Sequence, residues 1–477
     1  MAVLNTLVEE GLWRHWSEYY SEDVDALISP SGRYSWAGLD EKITQYASLL
    51  HQQGIGSHDV ISVIGKNSEL SVFIFLASLS LGASVAFIAP QTECQLLKKF
   101  ETLYREDQVV NLICPDSDVN CELLKEKRSS VRILDASFPV SPLSAEIPEC
   151  KFNADRLASL IFTSGSTGEP KAVAHTSLQH LYSADGLLQK FHFSHPDCWL
   201  LSLPLYHVSG LSILYRWMLS GATLKIGMGS LSSDINGVTH ASLVTTQLQR
   251  LLDSDVSLSL THVLLGGSDI PVKLSDAASA SGIETWVGYG MTEAASTVTA
   301  KRANGECGVG AILPNRQFKL EDGRIWIGGK TLASGYYRQG QLTPLTTDGK
   351  WFDSKDLGEW QSGELVIKGR VDNQFISGGE NVHCEEIESA LVKHPHVLLA
   401  MIIPVNHKEF GARPVALVRT SCELEKTDYE QWLKERLEKF KWPVEYYPLP
   451  DSLMGQGIKL SRPAARKWLM EQYPHYQ

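Results

Sequence analysis

The sequence predicts an α/β fold in which a large amino-terminal unit is followed by a small carboxyl-terminal one. With 477 residues, the chain is about three times as long as an average domain of ~150 residues. Short apolar runs alternate with helical patterns over most of its length, which is typical of βαβ units and largely parallel sheets. From about 308 to 369, brief strand-like segments are separated by glycine and aspartate, which indicates an antiparallel, barrel-like subdomain.

The strongest strand candidates are uninterrupted apolar runs: VISVIG at 60–65, VVNLIC at 109–114, LASLIF at 157–162 and LTHVLLGG at 260–267. An amphipathic stretch at 246–252 predicts a helix between two such runs. No charged residue lies between Glu69 and Glu93, so this stretch is nearly long enough to span a membrane. Gly82 divides it into a helix-like piece at 70–81 and a strand-like run at 85–89, which favours a buried helix followed by a central strand.

Residues 370–477 are predicted to form a terminal unit of mixed helices and strands, after an amino-terminal domain that spans 1–369. Its expected elements are strands at QFIS (374–377), VLLAMIIPV (397–405) and PVALVRT (414–420) and helices at 384–392 and 427–440. Thr427 and Glu430 have the spacing of a capping box at the start of the last helix. The segment 366–373 is the candidate linker, although a turn within one domain would give a similar pattern.

Composition and charge exclude several classes of protein. Lys and Arg number 43 against 55 Asp and Glu, a net charge of −12, so nucleic acid and anionic membranes are poor partners and a phosphate-bearing substrate needs locally placed cations. The eight cysteines include no C-x-x-C pair, which speaks against a zinc ribbon and favours reduced thiols in the cytoplasm. The first 16 residues lack the apolar core of a signal peptide. The sequence leaves open whether the chain is a monomer, a homodimer or a higher homo-oligomer.

The segment TSGSTGEPK, from Thr163 to Lys171, directly follows an apolar strand run. Its glycines permit close backbone approach, its hydroxyls are donors and its lysine is a mobile cation, a combination suited to phosphate oxygens. Besides Thr163 and Lys171, the residues expected to bind phosphate are Ser164, Gly165, Ser166, Thr167 and Gly168. Its spacing differs from that of a Walker loop, and on this evidence alone an ordinary polar surface turn remains an alternative.

The same segment resembles the phosphate loop of the adenylate-forming superfamily, which includes acyl-CoA synthetases, adenylation domains of peptide synthetases and beetle luciferases. The similarity continues in order through LPLYHVSG (203–210), GYGMTE (288–293), WFDSKDLGEW (351–360) and GRVDNQFISGGENVHCEEIE (369–388). It covers the chain from about residue 30. The resemblance implies a large amino-terminal domain of two doubly wound sheets plus a small β-barrel, and a small mobile α+β domain at the carboxyl terminus.

Several stretches are most similar to one branch of the superfamily, which makes the CoA thioester of 2-succinylbenzoate in menaquinone biosynthesis. They are HVSG followed by YRW, LLGGSDIP, GYGMTEAAST, KEFGARPVALV and GIKLSRPA. Thr245 departs from the pattern, since many relatives carry proline there, and the departure bears on the shape of the acyl pocket. Alternatives are a ligase for another aryl or acyl acid, a stand-alone peptide-synthetase adenylation module, and a non-catalytic nucleotide-binding sensor.

The resemblance implies ATP, Mg²⁺ and coenzyme A as small-molecule partners and assigns residues to them. The loop 163–171 would hold the β- and γ-phosphates, and Glu293, with Thr163 or Thr292, would position Mg²⁺. Tyr289 would stack near adenine, Asp356 would bind the ribose hydroxyls and Arg370 would support ribose and phosphate. The remaining residues of the GYGMTE motif at the nucleotide are Gly288, Gly290 and Met291. Taken singly, Glu293 could be a carboxylate at the start of a helix, Tyr289 an aromatic residue at the end of a strand, and Asp356 and Arg370 ordinary surface charges.

Arg216 lies within an apolar helical pattern, where a guanidinium must pair or extend to solvent. By the resemblance it would bind one carboxylate of the acid and leave the other for activation. His207 would act as the gate of the acyl pocket rather than as a general base, because a carboxylate needs no proton abstraction. The other residues assigned to the acid are Ser209, Gly267, Ser296 and Thr297.

Three positions in the carboxyl-terminal unit are assigned by the resemblance alone. Lys459 would be the mobile lysine that bridges the carboxylate and the α-phosphate, and Asp372 the hinge about which the terminal domain rotates. Gly378 and Gly379 would open a tunnel for the pantetheine arm of CoA, although a plain turn would carry the same glycines.

Overall fold

The computed structural model describes residues 2–115, 119–137, 152–164, 169–254, 256–266, 272–306, 308–346, 348–377, 380–407, 410–454 and 461–476. Helices and strands alternate up to residue 266, as the apolar patterns predict. These elements are α1 (Ala2–Glu10), α2 (Arg14–Tyr19), β1 (Asp25–Ser29), β2 (Gly32–Ser35), α3 (Trp36–Gln52), β3 (Val60–Ile64), α4 (Glu69–Leu81), β4 (Ser84–Ile88), α5 (Glu93–Leu103), β5 (Val110–Ile113), α6 (Cys121–Lys127), β6 (Val131–Ile133), β7 (Leu157–Ser164), β8 (Pro170–Thr176), α7 (Ser177–Leu188), β9 (Cys198–Leu200), α8 (Val208–Ser220), β10 (Thr223–Lys225), α9 (Leu231–Asp234), β11 (His240–Leu243), α10 (Thr245–Leu252) and β12 (His262–Leu265).

The rest of the chain is richer in strands. Its elements are α11 (Val272–Ala280), β13 (Glu284–Met291), β14 (Ser296–Arg302), β15 (Ala311–Ile312), β16 (Arg316–Glu321), β17 (Arg324–Gly329), β18 (Gly335–Arg338), β19 (Gln341–Thr343), β20 (Phe352–Gln361), β21 (Glu364–Arg370), β22 (Gln374–Ser377), β23 (Glu380–His383), α12 (Cys384–Val392), β24 (Val397–His407), β25 (Gly411–Thr420), α13 (Lys426–Leu433), β26 (Tyr446–Pro448) and α14 (Arg462–Gln472).

Two large mixed sheets dominate the first 370 residues. Over the described ranges, one has nine strands in the order β15-β14-β13-β12-β11-β9-β10-β1-β2, and the other has eight in the order β19-β18-β8-β7-β4-β3-β5-β6. The middle of each sheet is parallel. The nine-stranded sheet has antiparallel pairs at both edges, whereas the eight-stranded sheet has them only at the edge that contains β19, β18, β8 and β7. The predicted α/β class with largely parallel sheets is therefore confirmed, and the four apolar runs form β3, β5, β7 and β12.

The charge-free stretch forms a buried helix and strand. Helix α4 ends at Gly82, whose φ of +74° is left-handed, a conformation that glycine adopts without steric cost. All five residues of β4 are buried between β3 and β7. Among the residues that the structure describes, no helix is both long enough and apolar enough to cross a membrane.

The glycine-rich region 308–369 is antiparallel, as predicted, but it is not a barrel. Strands β16, β17, β20 and β21 form an open sheet of four strands over the described residues. Strand β15 instead joins the nine-stranded sheet and β18 and β19 join the eight-stranded one. The prediction of a self-contained barrel is wrong because these short strands find partners in the large sheets, which a local pattern does not reveal.

The carboxyl-terminal unit has its own sheet, in the order β23-β22-β25-β24, with β26 beside β25. Helix α12 has the predicted bounds, but α13 ends at Leu433 rather than near residue 440. Its start is also different, because Asp428 accepts from the main-chain nitrogen of Glu425 at 2.8 Å, and the capping box at Thr427 is not formed. The apolar residues at helical spacing in 427–440 still pack in one core, in which Tyr429 and Leu433 are buried and Trp432, Leu437 and Phe440 are partly buried. Leu437 and Phe440 reach it from a turn and a 3₁₀ segment beyond α13.

The cysteines differ from the sequence expectation at one pair. Cys114 follows β5 and Cys121 begins α6, and the two form a disulfide with Cα atoms 7.1 Å apart. The expectation of uniformly reduced thiols is therefore wrong for these two residues. Their separation of seven positions matches no motif, so the sequence gives no sign of the pair.

Candidate active site

The phosphate-loop strands and the GYGMTE motif come together where the two large sheets approach one another. Thr163 of β7 lies directly opposite Lys171 of β8. His175, further along β8, donates from Nε2 to the carbonyl oxygen of Thr292 at 2.9 Å. Thr292 begins the 3₁₀ turn Thr292–Ala294 that follows β13, so this hydrogen bond joins one sheet to the other beside the predicted nucleotide site.

Eight of the predicted residues lie outside the described part of the chain, and their roles remain predictions. They are Gly165, Ser166, Thr167, Gly168, Gly267, Gly378, Gly379 and Lys459. Ser164 is described by its backbone alone, which pairs with Pro170.

Asp356, the predicted ribose carboxylate, is held by two neighbours that were predicted to bind the same nucleotide. Register places Asp356 of β20 opposite Arg370 of β21, and Arg370 Nη1 donates to Asp356 Oδ1 at 2.9 Å. Tyr289 Oη donates to the other oxygen, Oδ2. Burial would lower the pKa of Arg370, but the charges of Asp356 and Asp372 raise it above its usual value. The carboxylate is only 7% exposed and is thus fixed in orientation.

The glycines that flank Tyr289 are required by the close approach of β14 to β13. A Cβ atom at Gly288 would lie 2.5 Å from the carbonyl oxygen of Thr299, and one at Gly290 would lie 2.0 Å from that of Ser296. Neither position tolerates a larger residue unless the strands separate. Burial, followed by the charge of Asp356, raises the pKa of Tyr289, so its hydroxyl stays protonated and donates to that carboxylate.

Glu293, the predicted metal-positioning residue, is held by both its main chain and its side chain. Its carbonyl oxygen accepts from the main-chain nitrogen of Ala333 at 2.9 Å, and its Oε1 accepts from Tyr336 Oη at 3.1 Å. The ring of Tyr336 also lies 5.4 Å from Lys171 Nζ. Predicted metal and phosphate residues are therefore neighbours of one tyrosine.

Arg216 is buried within α8 and does not reach solvent. It is 2% exposed, its guanidinium lies 5.3 Å from the Trp199 ring centroid, and Nη2 is 3.5 Å from Thr297 Oγ1. Among the described residues it forms no ion pair with a carboxylate. Burial, followed by the charge of Arg316, lowers the pKa of Arg216 to about 9, so a bound anion would relieve an unfavourable environment. Extension to solvent, the alternative left open by the sequence, is excluded.

Ser296 and Thr297 lie beside Arg216 at the start of β14, and both are buried. Ser296 has φ +93°, an unusual conformation for a residue with a side chain. Arg316 donates from Nε and Nη2 to the carbonyl oxygen of Thr297 at 3.0 and 2.7 Å. This places a second guanidinium behind the segment and holds the main chain of Thr297 in place.

The remaining predicted residues occupy the ends of their elements. His207 directly precedes α8 and its ring is 4.9 Å from that of Tyr206, while Ser209 lies in the first turn of the helix. Asp372 lies in the 3₁₀ turn Val371–Asn373, and its Oδ2 is 3.4 Å from Arg370 Nη2. Arg370 therefore contacts both the predicted ribose carboxylate and the predicted hinge.

Sequence reasoning missed His175, Arg316 and Tyr336. Arg316 stands between Asn315 and Gln317 in LPNRQF, so no apolar pattern marks it as it marks Arg216. His175 and Tyr336 belong to no pattern that was singled out, and their importance depends on contacts with residues 117 and 43 positions away.

The fold and site are those of an enzyme that activates acids with ATP. The family model described as "AMP-binding enzyme" matches residues 13–337, and "AMP-binding enzyme C-terminal domain" matches residues 386–454. The chain belongs to the AMP-binding enzyme family.

The chain is similar over nearly its whole length to individual proteins of this family. The chain is 39% identical over 460 residues to 2-succinylbenzoate–CoA ligase of Salmonella typhimurium, which covers 96% of this chain and 98% of that ligase. An Escherichia coli MenE variant with bound OSB-AMS superimposes with a TM-score of 0.86, at 37% identity, over 97% of this chain and 99% of that one. The o-succinylbenzoate CoA synthetase of Bacillus subtilis in complex with ATP and magnesium gives a TM-score of 0.80, at 25% identity, over 92% and 95%.

Proposed function

We propose that the chain is a 2-succinylbenzoate–CoA ligase of menaquinone biosynthesis. ATP first joins the acid through its α-phosphate and releases pyrophosphate, and the thiol of coenzyme A then displaces AMP to give 2-succinylbenzoyl-CoA. The observation that carries the proposal is the buried guanidinium of Arg216, which has no carboxylate partner among the described residues and thus suits an acid with a second carboxylate. The relatives named above support the same substrate.

The nucleotide is oriented by groups that the fold already holds in place. Asp356 accepts hydrogen bonds from the ribose hydroxyls, its orientation fixed by Arg370 and Tyr289. The Tyr289 ring stacks near adenine. The loop 163–171, ending at Lys171, surrounds the β- and γ-phosphates. Orientation of two mutually repelling anions is the main task of such a site, because little covalent catalysis is needed.

Glu293 and Thr163 fit the requirements of Mg²⁺, which prefers oxygen ligands. The carboxylate of Glu293 is held by its neighbours and points toward the same tyrosine as Lys171. When bound, the metal neutralises charge on the β- and γ-phosphates. The chain's part is to keep the carboxylate correctly directed.

The acid lies against α8 and the start of β14. Arg216 binds one of its carboxylates, and the other faces the α-phosphate. Ser209, Gly267, Ser296 and Thr297 contribute hydrogen bonds or space around the aromatic ring and the keto group. His207 closes the pocket. Trp199, whose ring faces the guanidinium, adds an apolar wall that keeps water from the ion pair and so strengthens it.

The two half-reactions use two positions of the carboxyl-terminal domain. We divide the chain at 369/370, with Asp372 as the hinge. In one position Lys459 reaches the acid carboxylate and the α-phosphate. In the other, Gly378 and Gly379 face the site and admit the pantetheine arm. The cytoplasm, where ATP and CoA are both available, is the expected location.

A panel of acids tests the proposal. Pyrophosphate release is measured with ATP and Mg²⁺ in the presence of 2-succinylbenzoate, of 4-oxo-4-phenylbutanoate, which lacks the ring carboxylate, or of benzoate, and AMP formation is then followed with CoA. We expect 2-succinylbenzoate to exceed the others at least about a hundredfold in kcat/KM, because the site leaves a buried polar group unpaired when the matching group is absent. Equal rates would indicate a ligase for another acid, and no acid-dependent release would indicate a nucleotide-binding sensor.

A further inference from the structure

We propose that Tyr336 is a positioning residue of the adenylation step, which holds Glu293 and Lys171 in place for the metal-bound triphosphate of ATP. This inference rests on the proposed function. Tyr336 is neither in the phosphate loop nor in the GYGMTE motif, and it belongs to β18, an edge region of the eight-stranded sheet.

Glu293 is held in place by the segment that contains Tyr336. Tyr336 Oη donates to Glu293 Oε1 at 3.1 Å, and the nitrogen of Ala333, three residues earlier, donates to the carbonyl oxygen of Glu293 at 2.9 Å. One short segment therefore fixes both the backbone and the carboxylate. A side chain that is anchored at both ends loses little further freedom when it acts on a ligand.

The ring of Tyr336 lies next to the side chain of Lys171. Strand β18 pairs with β8 so that Tyr336 is opposite Val173, two residues after Lys171 and thus on the same face. Lys171 Nζ lies 5.4 Å from the centroid of the Tyr336 ring, within the range of a cation–π contact. The adjacent Tyr337 points to the opposite face, into the core formed with Leu160, Ala172 and Ala174.

A tyrosine suits this position because it can hold both charged groups. A hydroxyl orients a carboxylate by a hydrogen bond and an aromatic face attracts an ammonium, yet neither neutralises the charge that it holds. A lysine next to Glu293, or a carboxylate next to Lys171, would compete with the metal or the phosphates. In the structure the hydroxyl is the donor in the hydrogen bond to Glu293, and the ring faces Lys171.

The test separates metal positioning from stability. Melting temperature is measured for wild type, Tyr336→Phe and the matched control Tyr337→Phe, with ATP in EDTA and with ATP at increasing Mg²⁺. We expect the Mg²⁺ concentration that gives half of the metal-dependent increase in melting temperature to be about tenfold higher in Y336F, because the variant loses a hydrogen bond to a charged group. The shift with ATP in EDTA should be unchanged, and Y337F should match wild type in its Mg²⁺ dependence.

A second variant and a half-reaction complete the test. Tyr336→Leu also removes the ring, so its shift with ATP in EDTA should fall as well. Both variants should pass a supplied acyl-adenylate to CoA at the wild-type rate, because that step uses no triphosphate. A wild-type Mg²⁺ dependence in Y336F, or equal losses in both half-reactions, would overturn the inference. Absence of acid-dependent pyrophosphate release by wild type would instead reject the proposed function, since the binding measurement does not depend on the acid.

Discussion

Arg216 is the residue whose surroundings bear most directly on the identity of the acid. In Arg216→Leu we expect kcat/KM for 2-succinylbenzoate to fall about a hundredfold, mainly through KM, because the substrate carboxylate would enter a buried site without its partner. The KM for ATP should stay unchanged. Steady-state pyrophosphate release measures both. Folding should survive, since leucine removes a buried charge that has no carboxylate partner among the described residues.

Arg33→Leu provides the matched control for that substitution. Arg33 lies on the edge strand β2, and its side chain is 68% exposed, so its ion pair with Asp25 contributes little to stability. It should retain wild-type constants for both substrates. Unchanged turnover of 2-succinylbenzoate at unchanged KM in Arg216→Leu would contradict the assignment of the acid, whatever the activity toward other substrates.

The roles of single residues could be predicted when the residues belong to a sequence motif. They could not be predicted when the role depends only on a contact in the folded chain. Asp356 and Arg370 were expected at one ribose, and the structure pairs them across β20 and β21. The burial of Arg216 was an open alternative, because an apolar helical pattern does not reveal whether a long side chain ends in solvent. Tyr336 was missed because its partner Glu293 is distant in sequence, and no local pattern encodes such a contact.

Strand β13 and strand β14 form the element pair on which the site most depends. In Gly290→Ala the new Cβ would lie 2.0 Å from the carbonyl oxygen of Ser296 and 2.8 Å from the Cα of Thr297, both of them backbone atoms that cannot rotate away. We expect a loss of about 3 kcal/mol in the free energy of unfolding, measured by urea denaturation. Adenylation should also fall, because Tyr289 and Thr297 would shift.

Gly56→Ala is the control for this effect. A Cβ at Gly56 meets nothing within 4 Å, and Gly56 has no left-handed φ. The stability of Gly56→Ala should therefore stay near that of wild type or rise slightly, because alanine restricts the conformations of the unfolded chain. If Gly290→Ala were as stable as Gly56→Ala, the close approach of β13 and β14 would not be needed for the fold.

Elements were predictable to the extent that local pattern determined them. Helices α4 and α12 match their expected bounds within a residue, because burial on an apolar face and strong end signals act together. Helix α13 stops at Leu433 although the apolar residues continue, since a turn followed by a 3₁₀ segment can bury the same side chains. Periodicity reports which residues reach the core and does not by itself determine how far a helix extends.

The sequence predicted the fold class of the whole molecule but did not predict which strands pair with one another. Alternating strands and helices indicated largely parallel sheets, and the resemblance to the superfamily implied two of them. Nothing in β15, β18 or β19 showed that these strands would extend the large sheets rather than close a barrel. Partner choice depends on contacts between distant segments. A chain of net charge −12 needs locally placed cations to bind a polyanionic nucleotide, and Lys171 and Arg370 are the ones that we propose.

The predicted rotation of the carboxyl-terminal domain has a consequence for the complete enzyme that one substitution tests. In Lys459→Ala we expect pyrophosphate release to fall by about a hundred- to a thousandfold, equivalent to roughly 3 to 4 kcal/mol of lost transition-state stabilisation. Transfer of a supplied acyl-adenylate to CoA should proceed at the wild-type rate, because in that position of the domain the lysine faces away. Lys467→Ala, in the same domain with a side chain that is 79% exposed, should leave both half-reactions intact. Equal loss of both in Lys459→Ala would mean that a single domain position serves the whole reaction.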